Sequence, residues 1–184
     1  MEDKLVSLLA GPTDKTKIFR FTSISPQTYE EYLARLAVSL VKHIRVANVI
    51  PDKGVPLDLA KKFREAGGKV CGYLLTEGLE DFKENFQYCD KIIEFDGGWS
   101  ALNTCLSLKG DIITVIGMSP GTSVEIAYTK YHKRYLGRNI PILIDVNLAP
   151  WTFPEAISED IDLRYFNDLG QLEELLEKIR SSRI

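Results

Sequence analysis

The sequence contains no apolar run near the roughly 20 residues that a membrane-spanning helix needs, so no membrane partner is expected. Its first apolar stretch, Leu5 to Ala10, is short, and Met1-Glu2-Asp3-Lys4 ahead of it is not the basic start of a secretory signal. A cytoplasmic protein is the expectation. Cysteine is scarce: Cys71, Cys89 and Cys105 are odd in number, far apart in the sequence, and show neither CxxC spacing nor a nearby histidine pair. That pattern excludes a disulfide framework or a zinc module and predicts packed thiols and no metal site. No basic excess is present, because 23 Lys and Arg stand against 26 Asp and Glu for a formal charge of −3. A nucleic-acid partner is therefore not expected. Also missing are GxxxxGK[ST] and GxGxxG, which removes P-loop NTPases and conventional dinucleotide-binding domains.

What the 184 residues do contain is a hydrophobic fraction of 45%, enough for one sizeable core, and an alternation of strand and helix patterns. Strands are predicted at 17–24, 45–50, 69–75, 91–95, 111–116, 140–146 and 163–166, where β-branched and aromatic residues cluster. Helices are predicted from Ser25-Pro26 to His43, over 55–66, 79–88, 99–108, 122–136 and 169–179. Ser25 before Pro26 suits an N-cap, and Gly67-Gly68 a helix stop. Residues 1–16 read either as an added edge strand or as a strap. The alternation predicts one domain over 1–184, an α/β fold with a Rossmann-like, doubly wound parallel sheet and helices on both faces.

In such a sheet ligands bind beyond the carboxyl ends of the strands, so the strand-to-helix loops carry the candidates. Gly117-Met118-Ser119-Pro120-Gly121-Thr122-Ser123 follows the most β-branched strand and opens a helix. Glycines permit close approach, helix-start amides and hydroxyls donate, and the dipole favours an anion such as phosphate. An ordinary turn with a good N-cap explains the same residues. Ser23, Ser25 and Gln27 form a second polar helix start, for ligand or merely for capping. Gly97-Gly98-Trp99 forms a third, in which Trp99 stacks on a base or joins the core. His132, among Lys130, Lys133 and Arg134, reads as part of a solvated face rather than as a catalyst. Tyr128, Tyr131 and Tyr135 share a helical face and suit core or a subunit interface.

The stretch Asp111 to Ile126, DIITVIGMSPGTSVEI, resembles the signature of the LOG (Lonely Guy) family, formerly called lysine decarboxylases: a strand, then PGGxGTxxE opening a helix. Gly121, Thr122 and Glu125 match its GTxxE part. Gly117, Met118 and Ser119 replace PGG, and Pro120 takes the variable place. Gly54 to Gly72 resembles the family's helix and strand after its glycine-rich second loop, which here reads Pro51-Asp52-Lys53-Gly54, with Lys53 and Gly54 as candidates beside the ligand. Asn139 to Asp145 resembles the next strand, and the likeness runs from about Lys17 to Ile179.

The resemblance implies a Rossmann-like domain, commonly a homodimer or other homo-oligomer, that binds a nucleoside monophosphate or a related phosphorylated ligand. In the LOG enzymes the reaction is hydrolysis of the N-glycosidic bond of a cytokinin nucleotide, by an arginine of an RK pair and the glutamate of GTxxE. Glu125 occupies the glutamate position as the candidate catalytic residue. The arginine position falls on Leu102, next to Asn103, and neither side chain can grip a phosphate bidentately. The expectation is thus a LOG-like nucleotide-binding protein that need not be a catalyst. A phosphoribohydrolase is the alternative, and a molybdenum-cofactor carrier-like or partner-binding protein a further one.

Overall fold

The structure, a computed structural model, describes residues 4–78 and 80–182. In chain order the elements are β1 (Leu5–Ala10), α1 (Thr16–Phe21), α2 (Pro26–His43), β2 (Ile44–Val49), α3 (Val55–Glu65), β3 (Lys69–Leu75), β4 (Lys91–Phe95), α4 (Trp99–Lys109), β5 (Ile112–Val115), α5 (Pro120–Leu136), β6 (Ile142–Asp145), α6 (Glu155–Ser158), β7 (Leu163–Phe166) and α7 (Leu169–Ser181). All seven strands form one parallel sheet in the order β4-β3-β2-β1-β5-β6-β7. The sheet is therefore doubly wound, and the strand order reverses between β1 and β5.

The reason for both helical layers lies in the strands. Parallel strands buried on both faces must be apolar on both. Along β1, Leu5 and Leu9 join the core beneath α2, α3 and α7, while Leu8 and Ala10 join the opposite core beneath α4 and α5. Helix α2 starts where the sequence signals it. The Ser25 hydroxyl accepts from the Thr28 amide and the Thr28 hydroxyl from the Ser25 amide, a reciprocal cap ahead of Pro26. No helix among the described residues is long and apolar enough to cross a membrane.

Two expectations at the amino end are overturned. Lys17 to Ile24 is not a strand: Thr16–Phe21 is helix α1. The Asp14 carboxylate accepts from the Thr16 amide (3.0 Å) and hydroxyl (2.6 Å), which closes the turn at the helix start. Residues 5–10, read as an edge strand or a strap, instead form the central strand, paired with β2 and β5. Five apolar residues of six, with Ser7 alone polar and no strict alternation, gain most in the middle of the sheet, whereas the 17–21 segment buries only Ile18 fully. The helix expected over 79–88 begins at Leu79, outside the described residues; Lys83–Tyr88 is a 3₁₀ segment. His132 is also not solvated. It is buried, and its Nε2 lies 2.6 Å from the Ser107 hydroxyl, tying α5 to α4.

Candidate functional site

At the β1/β5 reversal a cleft of about 250 Å³ opens beyond the carboxyl ends of the strands. Its bed is apolar, formed by Leu8, Leu9, Ala10, Ile50 and Pro56. Its walls are Gly11 and Thr13 after β1, Asp52 after β2, Trp99 and Asn103 of α4, and Ser119, Pro120, Gly121, Thr122 and Glu125 at the start of α5. The loops after β1, β2 and β5 and two helix starts thus converge where the topology splits, as an open α/β sheet requires.

The start of α5 is built by Ser119. As N-cap its hydroxyl accepts from the Thr122 amide at 3.1 Å and lies 2.9 Å from the Thr122 hydroxyl. The Ser123 amide and hydroxyl both donate to the Ser119 carbonyl, at 3.0 and 3.1 Å. Pro120 has no amide hydrogen to offer. The first turn is therefore largely self-capped, and the donor it leaves toward the cleft is the Gly121 amide, which has no partner among the described residues. This is a narrower anion site than a fully open helix start. A Cβ built on Gly121 would meet nothing nearer than the Ser119 hydroxyl at 3.7 Å and Asn103 Nδ2 at 3.9 Å. Room, rather than backbone conformation, distinguishes this glycine. Gly117 is the reverse case: its φ is +136°, and a Cβ there would lie 2.5 Å from Pro12, so it locks the β5–α5 loop against the chain leaving β1.

One turn into α5, Glu125 faces the cleft while only 5% exposed, with no hydrogen-bond partner among the described residues. Burial, with the nearby Asp52 carboxyl adding repulsion, pushes its pKa up to about 8. Asp52 is itself raised by burial, against the hydrogen bond that its Oδ1 accepts from the Lys53 amide at 2.6 Å. Among the described residues, no Lys or Arg lines the cleft.

The structure sorts the sequence candidates. Ser119, Pro120, Gly121, Thr122, Trp99 and Glu125 come together around the cleft. Trp99 is 45% exposed there rather than in the core. Lys53 and Gly54 line an adjoining depression, which meets the cleft at Thr13 and Asp52. Met118 packs into the core under α4 and α5, and Ser123 points outward. Gly97 and Gly98 lead into α4 without lining the cleft, Gly98 as its N-cap. Ser23, Ser25 and Gln27 lie apart from it, because the chain between β1 and α2 contains α1 and the 22–25 turn follows a helix rather than a strand. Leu102, at the expected arginine position, is fully buried.

Gly11, Thr13, Asp52 and Asn103 were missed. The first two were hidden by the misread β1. Asn103 was signalled by spacing: it stands four residues after Trp99 on a helix, so both face the same way. Asp52 sat in a loop in which the cation beside it drew the attention. A second polar cluster, at the carboxyl end of β6, is satisfied within itself. The Tyr32 hydroxyl donates to both oxygens of buried Asp145 (3.0 and 2.8 Å), and Asn147 bonds Tyr32, Asp145 and the Asn167 carbonyl.

No protein-family model matches the sequence, and no curated protein sequence does either. Solved structures do. The molybdenum cofactor carrier protein of Chlamydomonas reinhardtii superposes with a TM-score of 0.69 at 20% identity, over 97% of this chain and 99% of that one. The molybdenum cofactor binding protein of Rippkaea orientalis gives 0.64 at 17%, over 97% and 99%. TM1055 gives 0.68 at 16%, over 94% and 98%. The likeness is one of fold. It extends over nearly the whole chain, and the Rossmann-like α/β architecture is shared throughout.

Proposed function

We propose that this chain is a LOG-like binding protein that holds a phosphorylated nucleoside, or a related phosphorylated cofactor, in the switch-point cleft. The observation that carries the reading is the convergence of an open, apolar-bedded cleft with the unpaired Gly121 amide at the positive end of α5. A phosphoryl oxygen would take that amide and the Ser119 and Thr122 hydroxyls, and the apolar bed and Trp99 would hold the rest of the ligand. Glu125 does not oppose this at neutral pH, because burial keeps it largely protonated. The likeness in fold to molybdenum cofactor carrier and binding proteins adds the molybdenum cofactor to the ligands to test. Tyr131 and Tyr135, stacked and exposed on α5, support assembly of copies through that face.

Hydrolysis of the N-glycosidic bond is the second reading, and one observation favours it: a buried carboxyl with a pKa of about 8 is suited to deliver a proton to a departing base. Against it stands that no Lys or Arg among the described residues lines the cleft. Binding without turnover is therefore the conclusion.

The test is titration with nucleoside 5′-monophosphates, following thermal stability and release of free base together. Saturation at 100 times the dissociation constant adds about 2.7 kcal/mol to stability. A shift without base release is expected. Base release that disappears in Glu125→Ala establishes the enzyme instead, and no shift with any phosphorylated ligand removes the proposal.

A further inference from the structure

Among the described residues the cleft is lined by two carboxyl groups and no cation, an unusual lining for a site that takes a phosphorylated ligand. Asp52 accepts from the Lys53 amide at its Oδ1 and from its own backbone amide, and no side chain among the described residues donates to it. Glu125 has none for either oxygen, although it is almost fully buried. A ligand that displaces solvent from these oxygens has to bring hydrogen-bond donors, because an acceptor left buried and unpaired costs free energy. An anionic or acceptor-rich edge would instead meet repulsion from Asp52. Sugar hydroxyls are donors too, but the bed beneath is apolar, and the neighbouring wall is the exposed face of Trp99, which suits a flat ring. Asn103, also without a partner among the described residues, adds an amide able to donate and accept.

We infer that Asp52 and Glu125 together recognise the edge of a flat heterocycle bearing adjacent N–H donors, the chemistry of a 2-amino-4-oxopyrimidine ring such as that of guanine. The ring would lie between Trp99 and the apolar bed, its N–H groups toward the two carboxyls and its carbonyl oxygen toward Asn103 or a protonated Glu125. Because burial raises both carboxyls, the pair retains a proton near neutrality, so it offers acceptors and one donor at once. Adenine, which presents no ring N–H beside an amino group, leaves a carboxyl unpaired. Hypoxanthine keeps the ring N–H but lacks the 2-amino group. This inference rests on the nucleotide-binding reading above and names the ligand class within it.

Isothermal titration with GMP, IMP and AMP is the experiment, on the wild type, Asp52→Asn and Glu125→Gln, with each variant's fold checked by its thermal transition. GMP should bind the wild type about tenfold or more tightly than IMP or AMP, the usual effect of a hydrogen bond to a charged group. That ratio should fall to about threefold or less in each variant, since each loses part of the acceptor set. Equal binding of GMP and IMP by the wild type overturns the inference but leaves the nucleotide-binding reading intact. So does a GMP preference that survives both substitutions. Failure of all three nucleotides to bind overturns the two together.

Discussion

Replacing Glu125 by glutamine tests the electrostatics of the cleft without any ligand. In the unfolded chain this carboxyl releases its proton near its ordinary value of 4.5; in the folded protein burial and Asp52 hold the proton to about 8. Between those values the folded state binds more protons, so stability falls as pH rises, by about 1.4 kcal/mol per unit, and levels off above pH 8. At pH 7 the accumulated cost approaches about 3 kcal/mol. Glutamine is nearly isosteric and has no proton to lose, though its amide remains buried, so a net gain of about 1–3 kcal/mol is expected at pH 7. For a chain of this size that raises Tm by about 2–10 °C. The cleanest window is pH 6.5 to 8. Below it, His43 and His132, both lowered by burial, oppose this slope as the unfolded chain takes up their protons. Asp145, raised to about 6, adds its own fall in stability between 3.8 and 6. Calorimetry of both proteins across pH 5–9 is the assay. A wild type as stable at pH 8 as at 6.5, or a glutamine variant with the same pH slope as the wild type, would refute the argument that Glu125 is held buried and neutral.

Three further outcomes follow from the geometry. Gly121→Val should leave thermal stability within about 1 kcal/mol of wild type, because a Cβ there meets only ordinary contacts, while its methyls fill the cleft and weaken nucleotide binding at least tenfold, about 1.4 kcal/mol; unchanged affinity by titration would remove the cradle. Gly117→Ala, in the loop that leads into the same helix, should instead cost about 1–3 kcal/mol or more in denaturant unfolding, since it forces a side chain onto φ +136° and against Pro12. Tyr32→Phe should destabilise by about 1–3 kcal/mol by leaving buried Asp145 short of a donor, with ligand affinity unaffected; a loss of binding at full stability would show that this network reaches the site.

Much of the fold was legible because two periodicities are hard to mistake. β-branched runs such as Asp111 to Ile116 and amphipathic stretches such as Leu169 to Ile179 require a strand and a helix in any α/β context. The serine-proline start of α2 declared itself through capping chemistry that depends on three or four neighbouring residues, while α5, expected from Thr122, begins two residues earlier at Pro120 behind its cap Ser119. Those signals sufficed to place Ser119, Gly121, Thr122 and Glu125 beside one another, because all four belong to one helix start. Local signals could not rank competing strands. KIFRFTSI has the better strand composition, yet LVSLLA takes the centre of the sheet, because only a segment apolar on both faces can sit there without burying lysine or arginine. The same reason explains the site residues that went unread. Gly11, Thr13 and Asp52 join Glu125 across the β1/β5 reversal, and nothing in the spacing between positions 52 and 125 announces that two carboxyls will share one desolvated cleft. The sequence by itself determined the helix that presents Glu125. The tertiary structure decided the acidity of that residue, since the charge that helps raise its pKa, Asp52, stands in a loop more than 70 positions away, and the cleft that buries it is assembled from β1, α4 and α5 together.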